Sequence, residues 1–156
     1  MKNENISRMI DLSMKKKEYL LEILELSKKQ ETIIEEDKLD ELDNILKEKE
    51  KIMGKIDVLD SEFLTVYNNV KDEENIDSFE NLPIERYENL KDLKAIVNEI
   101  NNILNTLTIL DKNNISKMKA NLEKTQADLK NVKLGKRAYK GYGYGDVGSI
   151  FIDEKK

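Results

Sequence analysis

Between Leu42 and Val66 the apolar residues step alternately by three and four, through Leu42, Ile45, Ile52, Ile56, Leu59, Phe63 and Val66, with Lys49 the one exception on the line. An α-helix completes a turn every 3.6 residues, so this spacing draws a single apolar stripe along one side of a helix, the heptad seam of a coiled coil. A strand cannot use it, because side chains in a strand change face at every residue. The segment therefore predicts a long helix that is stable only when other helices cover its stripe.

The same signal recurs on both sides. From about Ile6 to Glu36 apolar residues return at helical spacing (Ile6, Met9, Ile10, Leu20, Ile23, Leu24, Ile33, Ile34), across a polar interruption at Lys15, Lys16, Lys17 and Glu18. The connecting EEDKLDEL has neither Gly nor Pro, so a turn near Asp37 is expected from its polarity and from the shift in apolar phase. The stretch KDEENIDSFENLP, residues 71–83, loses all periodicity, is acidic and ends in the only proline, which suits the first turn of a following helix. It predicts a solvated loop. Its acids lack calcium-loop spacing, with no central Gly and no terminal Glu at the required positions.

The third segment runs from about Ile84 to Leu134. Leu90, Leu93, Val97, Ile100, Leu104 and Leu107 keep the three-four step, and Ile115, Met118, Leu122, Thr125, Leu129 and Val132 resume it after two successive four-residue steps through Asp111. Such a slip predicts local unwinding or a break near 111–114. Unbroken, this helix would be about 75 Å long against roughly 45–50 Å for the first two, at 1.5 Å per residue. Part of it must overhang, fold back as a fourth helix, complete the seam of a homodimer or meet another protein. The seam of Ile115, Met118, Leu122, Leu129 and Val132 is the candidate for partner binding, contributing little to the isolated fold.

These segments point to an all-α chain: an elongated antiparallel bundle or coiled coil of three long helices over residues 1–134, followed by a flexible tail at 135–156. Charged residues make up 38% and hydrophobic ones 38%, as long helices require. Residues 31–62 hold twelve acids against five lysines, while residues 112–140 hold nine basic residues against two acids. The two regions are expected to face each other, helped by helical pairs such as Glu25 with Lys29 and Asp43 with Lys47. Nucleic acid is not the expected partner, because the net charge is −5 and no aromatics interleave the basic stretch.

Cysteine and histidine are both absent, which excludes disulfides, thiolate or imidazole metal sites and any Ser-His or Cys-His couple. No catalytic activity, cofactor or metal is expected. No apolar run approaches the roughly 20 residues that cross a bilayer, and MKNENISRMI lacks a signal-peptide core. A soluble cytoplasmic protein without membrane insertion is the expectation. Met9, Met14, Met53 and Met118 read as core filler.

Five of the six glycines and three of the six tyrosines lie in the last 22 residues. Gly143, Gly145 and Gly148 spell the dinucleotide-binding G-x-G-x-x-G, but no strand precedes them and no helix or acid follows at the required distance. Repeated glycine disfavours independent order, while Tyr139, Tyr142, Tyr144, Ile150 and Phe151 supply anchors for a partner.

The first two helices, in LLEILELSKKQETIIEED and DKLDELDNILKEKEKIMGKIDVLDSEF, resemble the FlgN family of flagellar export chaperones. There a Gln-containing first helix, an acidic turn and a Leu-x-x-Ile/Leu-x-x-Lys repeat recur. LDKNNISKMKANLEKTQADL resembles the family's C-terminal helix, and RAYKGYGYGDVG with IFIDEKK is similar to its tails. The resemblance covers nearly the whole chain. It implies a cytoplasmic chaperone that binds the C-terminal segments of hook-filament junction (hook-associated) proteins, keeps them unpolymerised and hands them to the export gate. It also implies a gate-docking tyrosine near the C-terminus, for which Tyr139 is the best match and Tyr142 and Tyr144 are alternatives. A chaperone of the related type serving the filament cap protein, and a structural coiled-coil adaptor or dimeric scaffold, are the competing readings.

Overall fold

A computed structural model of the protein describes residues 2–82, 85 and 87–125. Three long helices carry the fold: α1 (Lys2–Glu35), α2 (Leu42–Glu74) and α3 (Leu90–Thr125). Short 3₁₀ turns at Leu39–Glu41 and Phe79–Asn81 lie in the connections. Successive helices run antiparallel, which sets α1 and α3 parallel, and α1 packs closely against both of the others. The division into a bundle ending at 134 and a tail at 135–156 lies outside the described residues.

Both helix ends that lead into connections close without glycine. At the first, Asp37 takes a left-handed φ of 57°, its N–H donating to Ile34 O (3.2 Å) and that of Lys38 to Ile33 O (2.9 Å). At the second, Asn75 (φ 53°) does the same, with Asn75 N–H on Asp72 O (3.2 Å) and Ile76 N–H on Lys71 O (3.0 Å). This pair of reversed bonds satisfies carbonyls that the helix end would otherwise orphan, and Asp and Asn tolerate the left-handed region better than other non-glycine residues. The turn expected near Asp37 is therefore present and has a physical cause. At the start of α3, Asn89 accepts the Leu93 N–H on its carbonyl (3.2 Å) and donates its side-chain amide to Ser7 (2.9 Å). That contact holds the beginnings of the two parallel helices together.

The core is a stack of nine layers, each supplied by one residue of each helix. The α1 seam is Ile6, Met9, Ser13, Lys16, Leu20, Ile23, Ser27, Gln30 and Ile34, all buried. The α3 seam, Leu90, Leu93, Val97, Ile100, Leu104, Leu107, Asp111, Asn114 and Met118, is also buried throughout. Each member lies 84 positions after its α1 counterpart, as Leu90 follows Ile6 and Met118 follows Ile34. Running the other way, α2 contributes Val70, Tyr67, Phe63, Asp60, Ile56, Met53, Lys49, Leu46 and Leu42. All of these are buried except the half-buried Asp60. The step is three and four without interruption in every helix, the knobs-into-holes requirement met over the whole length.

Several expectations are corrected by this stack. No break or slip occurs at 111–114: α3 is continuous through Thr125, and its seam passes through the polar residues Asp111 and Asn114 instead of jumping to Ile115. The lysine run at 15–17 lies within one continuous α1, as the helical spacing on either side of it predicts, and Lys16 turns inward to Asp60 (2.8 Å). On α2 the predicted seam was offset by one position at alternate places. Ile45, Ile52, Leu59 and Val66 are half-buried, while Leu46, Met53 and Tyr67 are buried.

The acidic connection is shorter and less solvated than its composition suggests. α2 absorbs Lys71, Asp72, Glu73 and Glu74, and α3 begins at Leu90 rather than Ile84. Between them Phe79, Leu82 and Tyr87 are buried against Ile6, Val70 and Leu90, closing one end of the bundle. The Phe79 ring stacks on Tyr67 with centroids 4.4 Å apart, and the Tyr87 hydroxyl donates to Glu74 (2.7 Å).

Candidate partner-binding site

At the opposite end, the last layer joins Ile34, Leu42, Leu46 and Met118 in a small apolar cluster, with Ile33 and Leu39 half-buried against it. The basic stretch from residue 112 and the acidic stretch from residue 31 meet there as their charge suggested, Lys117 pairing with Glu35 (3.1 Å). Asn121 donates its amide to Ile34 O (3.1 Å), a last-turn carbonyl of α1 that also accepts the Asp37 N–H. By the constant offset, Glu35 stands level with Lys119. Beyond that point α1 has ended and α3 continues to Thr125.

This cluster is cut off from the main apolar core by a polar stratum. Lys49, with 1% of its side chain exposed, reaches Asp111 Oδ1 at 3.2 Å, and the Asp111 side chain is 3% exposed. The Lys49 ammonium also donates to Gln30 Oε1 (2.8 Å), and Asn114 donates to the carbonyl of Ser27 (3.1 Å). Burial pulls the Lys49 ammonium below the ordinary lysine value of 10.5, against the opposing pull of the Asp111 carboxylate and its hydrogen bond. Two acceptors in the stratum, Asp111 Oδ2 and Asn114 Oδ1, have no hydrogen-bond partner among the described residues. The other inward ion pair, Lys16 with Asp60, is more open, at 6% and 14% exposure.

The apolar surface of α3 changes direction at this end. Extended past Met118, the buried register falls on Asn121 and Thr125, both polar, while apolar character passes to Ile115 and Leu122, one heptad position round. A shift of one heptad position turns the stripe by about 50° about the helix axis. What reads in the sequence as a slip is therefore two stripes on one unbroken helix, meeting at Met118. The first faces the bundle. At Ile115 the second leaves that face, its side chain being half-buried where those of Asn114 and Met118 are buried.

Of the residues predicted to bind partners, Ile115 is half-buried on α3 and Met118 is fully buried in the last layer. Met118 is thus part of the isolated fold rather than of an overhang. Leu122 lies on α3 one heptad beyond Ile115. Leu129, Val132, Tyr139, Tyr142 and Tyr144 lie outside the described residues. Sequence reasoning missed Ser27, Gln30, Asp111 and Asn114. Their signal was present as polar residues standing on the three-four step, of which Lys49 was read on the seam and Asp111 only as the point of a slip. Among the described residues no helix is long and apolar enough to cross a membrane.

Compared with known proteins, residues 1–149 match the family model described as FlgN protein. Neither the curated proteins nor the solved structures compared with the chain give a match.

Proposed function

This chain belongs to the FlgN family of flagellar export chaperones, and we propose that within that role it binds the C-terminal helical segments of hook-associated junction proteins. It keeps those segments from assembling early and delivers them to the export gate, acting in the cytoplasm before export. A chaperone of this kind has no chemistry to perform. Its work is to cover an apolar seam that the cargo will later bury among its own siblings.

The observation that carries the reading is the second stripe on α3. A helix whose apolar face turns out of register with its own bundle has surface that its bundle does not use. An amphipathic cargo helix laid along that surface recognises it through anchors at heptad spacing, the helix-in-groove mode. On this reading Ile115, Leu122, Leu129 and Val132, together with Met118, form the cargo seam. The tail at 135–156, with Tyr139, Tyr142 and Tyr144, serves the export gate.

Calorimetric titration with the C-terminal peptide of a junction protein tests the assignment. Leu122→Ala combined with Leu129→Ala is expected to weaken binding at least tenfold while leaving the melting temperature nearly unchanged. Equal loss of stability and of binding would make these residues structural. Unchanged binding would remove them from the cargo site.

A further inference from the structure

Peeling α3 back from its end to Leu107 withdraws three seam residues from the bundle, and only Met118 among them is apolar. The other two, Asp111 and Asn114, each carry a buried acceptor atom with no hydrogen-bond partner among the described residues. Their contribution to holding the helix down is small, since a buried ion pair gives back in Coulomb attraction about what its desolvation costs. From Leu90 to Leu107, by contrast, every seam residue is apolar. The grip of the bundle on α3 is therefore strong along six layers and weak along the last three.

Resting on the cargo reading above, we propose that the end of α3 from Asp111 onward is displaceable, and that the helix which takes its place must carry a carboxylate answering Lys49. The replacement site is made by α1 and α2 alone: Ile34, Leu42 and Leu46 form its apolar floor, with Lys49 and Gln30 above them. When α3 leaves, it takes away the Asp111 carboxylate with which Lys49 is paired. An incoming helix that offers only apolar residues at that level leaves a buried ammonium without that counter-charge, which is strongly unfavourable. One that offers Asp or Glu restores it. Asp111 and Met118 are seven residues apart on α3, so the partner is an amphipathic helix with an acid one heptad before a Leu, Ile or Met anchor. Lys49 thus selects among apolar helices, accepting those with the acid and rejecting isosteric ones without it.

Two measurements on the full chain test this. In hydrogen exchange of the free protein, amides of 111–125 are expected to open without those of 93–107 and with weaker dependence on urea. Opening of the two stretches together, at the cost of global unfolding, would overturn displacement. The second measurement is a double-mutant cycle with a junction-protein C-terminal peptide in which each Asp or Glu is changed singly to its amide. One acid, seven residues before an apolar anchor, is expected to matter at least tenfold with the natural chain and to lose that importance with Lys49→Met. Because the ratio of acid to amide peptide is compared within each protein, it is insensitive to any change of stability. If no acid is coupled to Lys49 although the peptide binds, the selection is refuted. If the peptide does not bind the natural chain at all, the cargo reading and the selection fall together, while the exchange experiment still decides whether the end of α3 opens.

Discussion

Asp111→Leu isolates the energetics of the polar stratum, because it removes a charge and two hydrogen-bonding oxygens while keeping a side chain of similar bulk. It leaves the Lys49 ammonium buried, beside Gln30 but without the carboxylate at 3.2 Å. Removing one member of a buried pair costs about 3–5 kcal/mol, since the remaining charge is uncompensated. The double variant Lys49→Met with Asp111→Leu removes the charge as well, and is expected to be neutral or more stable by about 1–4 kcal/mol. For a chain of this size 1 kcal/mol moves the melting temperature by about 2–4 °C. The single variant should therefore melt roughly 6–20 °C below the natural protein, and the double variant at or above it. Urea titration followed by circular dichroism measures both. The sign with pH is also determined. Burial sets the folded pKa of Lys49 below 10.5, so between the folded value and 10.5 the unfolded chain binds more protons, and stability rises with pH through that window. In Asp111→Leu the opposing carboxylate is gone and the window widens downward, so the variant should begin to regain stability at a lower pH than the natural chain and recover more of it in alkali. If Asp111→Leu proves as stable as the double variant at neutral pH, Lys49 does not depend on Asp111, and the stratum is not a buried ion pair in any energetic sense.

Ile56→Asp or Ile100→Asp, placing a carboxylate in an apolar layer, should cost several kcal/mol against a total of about 5–15 and abolish the cooperative melt; melts matching the natural protein would refute the layer assignment. Asp37→Gly should stabilise by about 0.5–1 kcal/mol, because glycine reaches the left-handed region without a Cβ penalty, and a lower midpoint in urea would point to an unrecognised role for the aspartate. Truncation after Lys136 should leave helicity and cargo-peptide affinity intact but reduce affinity for the cytoplasmic domain of the export gate. Tyr139→Ala should reproduce much of that loss, and calorimetry with the loaded chaperone distinguishes this from loss of cargo.

The helical architecture was legible because an apolar residue every three or four positions has no other stable use, and Leu42, Ile56, Phe63, Leu93 and Leu104 all lie in layers where the pattern put them. What it could not reveal was the continuation of the seam through Ser13, Lys16, Ser27, Gln30, Asp111 and Asn114. A polar residue on a seam is readable only when its partner on another helix is known: Lys49 looks like an error until Asp111 is beside it. The same limit shifted the α2 stripe. Which flank is fully covered depends on where α1 and α3 lie, and periodicity cannot say that. Phe79, Leu82 and Tyr87 escaped for a different reason, since they cap the bundle end-on from a connection and obey no helical period. For the candidate site, Ile115, Met118 and Leu122 were recognised as a resumed pattern, whereas the cause, two stripes on one continuous helix, required the register of the bundle.

The fixed spacing of 84 between α1 and α3 makes the molecule a ruler with marks every seven residues. A single residue inserted anywhere between Ile6 and Ile34 would rotate all later marks by about 100° and take them off the stack. Loss or gain is tolerated within the helices only in whole heptads, and only when all three change together, since each layer needs a contribution from every helix. Relatives with longer or shorter rods should therefore differ in steps of about 21 residues, shared equally among three distant places in the gene. The connections around Asp37 and between Asn75 and Asn89 are not bound to that heptad step, although Phe79, Leu82 and Tyr87 must still reach the end of the bundle.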